Sequence, residues 1–236
     1  MRGKGFIVCG ILLFTACLGV MAQNPFEDRP VKDLPSAKPS PTARVNPIEI
    51  GNIAERKTVG KRESADLGLS VIWATSNIDA ANVRGYYGRI VAWGELLEKS
   101  SYTPSTSANY GIARGDIKGD VNFDVAAQQW GNGWRMPTYA EMKELREKCT
   151  WTWAKESGRW GYKIVSKINR NYIFLPAVGI NRSNKIDEMN HSGYYWTSTP
   201  LSNHNSAYRL TFTSSGINIL EGSRYDGCYI RAVHSR

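Results

Sequence analysis

The sequence predicts an α+β domain, on three observations. Two helical patterns lie next to each other between Asn122 and Cys149, inside a chain otherwise made of short β-prone runs. All eight tryptophans lie between Trp73 and Trp196, and all twelve tyrosines between Tyr86 and Tyr229. The chain from Asp66 onward, about 170 residues, therefore carries the core and is long enough for one domain.

The second helical pattern is the stronger. Thr138 followed by Glu141 is a capping box, with the Thr hydroxyl taking the N3 amide and the Glu reaching back to the N-cap amide. Pro137 disfavours helix upstream, so the start is sharp. Met142, Leu145 and Cys149 then recur at i, i+3 and i+7 as one apolar stripe. The first pattern, Asn122 to Gly131, places Phe123, Ala126, Ala127 and Trp130 on one face, and Gly131 and Gly133 end it.

Leu67–Ile78 and Tyr86–Trp93 read as the first strands. Residues 98–121 show no sustained period and read as a long loop. Gly161–Ile168 and Tyr172–Pro176, joined by Asn169-Arg170-Asn171, predict a hairpin. Residues 179–206 are polar and irregular, interrupted by Tyr194-Tyr195-Trp196. Tyr208, Leu210 and Phe212 alternate with Arg209, Thr211 and Thr213, the pattern of a half-buried strand. Ile217–Leu220 and a closing strand at Cys228–Val233 complete the order.

The N-terminus reads as an export signal over residues 1–22. Arg2 and Lys4 precede the apolar run Phe6–Val20, and Val20-Met21-Ala22 is a small-residue cleavage site. The run falls short of the ~20 residues that span a bilayer, so no transmembrane segment is expected. Thr15-Ala16-Cys17 resembles a lipoprotein box, which leaves anchoring at Cys17 as the alternative. Residues 23–62 hold six of the ten prolines and no Trp, Tyr or Cys, the composition of a disordered tether. The domain is then expected over 63–236.

Signal cleavage lowers the formal charge from +9 to +7, because Arg2 and Lys4 leave with it. Such an excess suits an anionic partner such as a polysaccharide. The basic residues are scattered, however, and export argues against nucleic acid. Only Cys149 and Cys228 remain after cleavage, so one disulfide is available; the alternative is a pair of plain buried thiols. With no CxxC, no HExxH and three isolated histidines, no metal and no cofactor are expected. Neither a G-x-S-x-G elbow nor a Ser/His/Asp context is present, so no enzyme activity is expected.

Several segments together, DLGLSVIWATSNI (Asp66–Ile78), YYGRIVAWGE (Tyr86–Glu95), WGNGWRMPTYAEMKEL (Trp130–Leu145), CTWTW (Cys149–Trp153) and GYYWTST (Gly193–Thr199), resemble the bacterial FISUMP, or major paralogous, domain. The resemblance covers about residues 66–234. It implies a C-type-lectin-like fold, two helices packed on short antiparallel sheets with a long irregular loop. It also implies export to the surface, outer membrane or exterior of a Gram-negative bacterium. In such a fold the ends approach near the helices, which is how Cys149 and Cys228 would meet. The calcium-lectin loop motifs Glu-Pro-Asn/Gln-Pro-Asp and Trp-Asn-Asp are missing, so calcium is not implied.

The long loop supplies the candidate ligand site. Tyr195 and Trp196 offer rings for stacking, and Asn181, Arg182, Asn184, Asn203, His204 and Asn205 offer donors and acceptors. The expected function is a non-catalytic, surface-associated domain that binds a glycan or protein through that loop. The alternative is a structural or assembly component of a surface layer or appendage.

Overall fold

A computed structural model of the chain describes residues 56–59, 62–80 and 87–236. The signal segment at 1–22, Cys17 and nearly all of the expected tether lie outside them. The described part is dominated by strand. A five-stranded sheet has the order β1 (Arg56–Val59), β2 (Arg62–Ala65), β3 (Val71–Ala74), β13 (Val233–Ser235), β4 (Trp134–Arg135). Two three-stranded sheets follow, β5 (Cys149–Glu156), β6 (Arg159–Ser166), β7 (Tyr172–Pro176) and β10 (Ser192–Pro200), β11 (Ser206–Thr213), β12 (Gly216–Ser223). A two-stranded ribbon joins β8 (Ile180–Arg182) to β9 (Lys185–Asp187). All strand pairings within these sheets are antiparallel. The α-helices are α1 (Val125–Trp130) and α2 (Tyr139–Lys148).

This corrects the expected fold class. With 43% strand against 11% helix, the domain is mostly β, and the C-type-lectin-like α+β arrangement is not what it adopts. Both helices lie within the patterns but are short: α1 starts at Val125 with Asp124 as its cap, not at Asn122, and α2 ends at Lys148, so Cys149 opens β5. Strand was hidden in segments whose turns are rich in polar residues. The expected long loop at 179–206 is the clearest instance, because it folds into β8, β9 and the whole of β10. Seven consecutive residues of β10, Ser192–Ser198, are buried, as in a strand covered on both faces, so no polar alternation announces it. The first strand pair also starts earlier than expected: β1 pairs with β2 from Arg56, so the 62/63 boundary cuts through a hairpin.

Strand β10 divides two cores. Successive side chains of a strand point to opposite faces. Tyr195 accordingly enters a cluster with Trp73, Met142, Leu145, Ile164 and Phe212. Tyr194 and Trp196 enter another with Trp93, Val125, Trp134 and Ile230. Cys149 belongs to the first cluster and Cys228 to the second, and both are free, buried thiols. That overturns the disulfide reading, since the two sulfurs are packed into separate clusters. Burial pushes the Cys149 thiol up to about 11 and the Cys228 thiol up to about 12.

Helix α2 is built as its sequence dictates. Thr138 Oγ1 accepts from Glu141 N at 3.2 Å, and Glu141 Oε2 accepts from Thr138 N at 2.8 Å. Arg135 adds two bonds to the same carboxylate, at 2.9 and 2.6 Å. Burial works to raise the Glu141 carboxyl, but Arg135 and Thr138 together hold it below its ordinary value of 4.5. A carboxylate with a depressed folded-state pKa stabilises above its unfolded pKa and loses that contribution as the pH falls through the folded one. Glu141→Gln is therefore expected to cost about 1–2 kcal/mol at pH 7. Its deficit relative to the parent should shrink as the pH drops below 4.5. Denaturant titrations of both proteins across that range check this; a deficit unchanged by acid would contradict it.

The long loop expected at 98–121 is fastened down. Tyr102 pairs its backbone with Ser183 at 2.6 and 3.1 Å, and its buried hydroxyl donates to Ile90 O at 2.8 Å. Arg224, fully buried and lying over the Trp93 ring at 4.3 Å, donates to the carbonyls of Ile112, Ser206, Asn109 and Leu201 at 2.8–3.4 Å. Among the described residues no helix is long and apolar enough to cross a membrane.

Candidate functional site

A cleft of about 540 Å³ opens where the tightly held Tyr102–Pro104 segment meets the far ends of β8, β11 and β12. Tyr102, Thr103 and Pro104 line it together with Glu221, Gly222 and Ser223. Arg182, Ser183, Tyr225 and Asp226 line it as well. That volume lies within the usual range of small-ligand pockets.

Arg209 forms the floor. On an alternating strand it reads as solvent-facing, yet its exposure is only 8%. The register explains this. Arg209 lies directly opposite Trp196 on the neighbouring strand. Its guanidinium stands 5.1 Å from the Tyr194 ring and 5.6 Å from the Trp196 ring. A Cβ added at Gly222 would lie 2.5 Å from Arg209 Nε, so the absent side chain at 222 is what lets the arginine lie there. A buried charge needs a partner, and Asp226 Oδ2 supplies it at 2.6 Å. Burial works against the charge on Arg209, but Cys228 Sγ at 3.7 Å and Asp226 outweigh it and hold its pKa up.

The guanidinium has capacity left over. Nη1 is taken by Asp226 and Cys228, Nε is buried without a partner, and Nη2 makes no hydrogen bond within the described residues. Asn181, whose backbone pairs with Gly227 beside Asp226, likewise has its Oδ1 buried without a partner. Buried polar atoms in native proteins are nearly always bonded. Nε of Arg209 and Oδ1 of Asn181 are sealed from solvent, so the donor this cleft offers to a ligand's polar groups is Arg209 Nη2.

Above the floor, Arg182 reaches Glu188 at 3.7 Å and lies 5.9 Å from the Tyr194 ring. Tyr194 donates its hydroxyl to Glu188 at 2.6 Å, which holds the Glu188 carboxyl below the ordinary range. The charges lining the cleft balance, with Arg182 and Arg209 facing Glu221 and Asp226. Among the described residues no group of three or more His, Cys, Asp or Glu side chains is placed to hold a metal ion.

Of the eight residues the sequence singled out, only Arg182 lines this cleft. Tyr195 and Trp196 are wholly buried in the two cores, so neither ring is offered to a ligand. Asn181 lies just behind the cleft floor, and Asn184 is exposed in the β8–β9 turn. Asn203, His204 and Asn205 form the exposed β10–β11 turn. There the Asn203 carboxamide accepts from Asn205 N and Ser206 N at 3.0 and 2.9 Å, so it shapes the turn. Arg209, Asp226, Glu221 and Gly222 went unread, because only strand register brings them together.

Comparison with protein-family models, curated proteins and solved structures returns no match at a significant level.

Proposed function

We propose that the domain is a non-catalytic binding module that takes a neutral oligosaccharide in the Arg209–Asp226 cleft. The observation that carries this is the unspent guanidinium of Arg209 on the floor of a charge-balanced cleft. A strongly anionic ligand would face Glu221 and Asp226, and a cationic one Arg182 and Arg209. A neutral polyhydroxylated ligand meets neither penalty and can both donate and accept. The hydroxyls of Thr103, Ser183, Ser206 and Ser223 at the same opening suit it, as does the half-buried Tyr225 ring. The resemblance to the FISUMP domain supports placing the module outside a bacterial cell. Asp226 is engaged by Arg209, which leaves Glu221 without a second carboxylate free to act with it as an acid–base pair.

Screening the protein on an array of neutral and acidic oligosaccharides, followed by calorimetry, tests the reading. Arg182→Ala and Glu221→Gln change rim residues and leave the buried ion pair intact. Each is expected to weaken the neutral ligand roughly tenfold. Gly222→Ala should weaken it further by forcing the Arg209 side chain toward the opening. A folded protein that binds no oligosaccharide would overturn the proposal in favour of an assembly role.

A further inference from the structure

We propose a second glycan site at the tip of the β5–β6 hairpin, selective for a pyranose that carries an anionic group. Its argument is independent of the Arg209 cleft. Strand register places Trp153, Lys155, Trp160 and Tyr162 on one face of the hairpin, with Lys155 opposite Trp160 and Trp153 opposite Tyr162. The inner part of that face is anchored to the core. Trp153 meets Tyr162 edge-on at 5.2 Å and Phe212 at 6.4 Å. The outer part runs past the core's edge, and there Trp160 is 41% exposed. It is the one aromatic in the exposed class among the described side chains.

The two indoles lie parallel to each other. Their planes are within 6° of parallel, with centroids 6.1 Å apart. Leaving such a surface in water gives up apolar burial without benefit to the fold. The two indoles line a cleft of about 490 Å³ together with the polar side chains of Asn190, His191 and Ser214. Arg159 Nη1 donates to Asn190 Oδ1 at 2.7 Å, which fixes that carboxamide and leaves its NH₂ group to donate. A pyranose ring has this same division, an apolar C–H face and a polar hydroxyl edge, and the cleft is complementary to both.

Charge selects the class of sugar. Lys155 lines the cleft and no aspartate or glutamate does. The nearest acidic neighbour in sequence, Glu156, is on the opposite face of β5 by strand alternation. The basic excess of the chain after signal cleavage, formally +7, favours acidic polymers over neutral ones in a general way. This contrasts with the first cleft, where the charges cancel.

Titration of the full chain with tetragalacturonate, and with maltotetraose as its uncharged counterpart, tests the assignment by calorimetry. The acidic tetrasaccharide is expected to bind at least about tenfold more tightly than the neutral one at this site. Trp160→Ala should abolish that binding without lowering the melting temperature, since the side chain projects from a hairpin tip. Lys155→Gln should remove the preference for the acid and keep residual binding. Arg182→Ala, in the other cleft, should leave tetragalacturonate affinity unchanged. Acid binding that survives Trp160→Ala, or that is lost in Arg182→Ala, would overturn the site, as would no preference for the acid in the parent.

Discussion

Replacing Arg231 with alanine is expected to remove about 4 kcal/mol of stability, a large share of what a domain of this size has. Arg231 is 1% exposed, and its guanidinium uses all three nitrogens. Nε and Nη2 donate to Asn77 Oδ1 at 3.0 and 2.8 Å, and Nη2 also reaches Phe174 O at 2.9 Å. Nη1 donates to Thr75 O at 2.9 Å and Ala74 O at 3.2 Å. These acceptors come from the end of β3, the turn after it and β7, so a single side chain ties two sheets and the closing segment together. Burial pushes its pKa down to about 10, which still leaves it charged at neutral pH. Truncation strands two buried acceptors, Asn77 Oδ1 and Ala74 O, and two part-buried ones, each costing about 1–3 kcal/mol if unmet. Arg231→Met keeps volume but not bonds and should recover little. Denaturant unfolding of both variants decides, and a loss below about 1 kcal/mol would show that water replaces the bonds.

Asp124→Ala is expected to cost about 3–4 kcal/mol. The carboxylate is wholly buried and accepts four backbone N–H groups from three segments. Oδ1 caps α1 through Ala126 at 2.9 Å and Ala127 at 3.0 Å, and Oδ2 takes Gly119 at 2.8 Å and Met136 at 2.9 Å. An ordinary cap is worth about 1 kcal/mol; the excess here comes from the two donors outside the helix. Asp124→Asn keeps one oxygen and should fall about halfway between. Equal losses for Asn and Ala would contradict the division of labour between the two oxygens.

What was legible in the sequence was local. The Thr138/Glu141 pair fixes the start of α2, Asn169-Arg170-Asn171 the β6–β7 hairpin, and the alternation around Leu210 the strand β11. Each signal lies within a few residues of what it specifies. Asp124 was passed over because a helix starting at Asn122 satisfied the apolar spacing equally well. The segment 179–206 was misread because its Asn and Ser residues serve tight turns, with Ser183, Glu188, Asn190 and His204 at positive φ. Of the strands between those turns, β8 and β9 are too short to show a period, and β10 is buried on both faces and so shows no alternation. The cleft was illegible for a different reason. Arg209, Trp196, Gly222 and Asp226 meet only through the pairing of β11 with both β10 and β12 and the fold-back after β12. No spacing in the chain encodes that pairing. Tyr195 and Trp196, conspicuous as aromatics, belong to the cores that hold the cleft in shape.

The most direct test is the arginine side-chain region of the ¹H–¹⁵N spectrum during titration with the neutral oligosaccharide selected by the array. The Nε–H resonance of Arg209 reports any new bond at its guanidinium. It is expected to shift and to saturate with the calorimetric affinity, while Arg231, whose nitrogens are already bonded, stays in place. Saturable binding that leaves the Arg209 resonance unmoved would contradict the account.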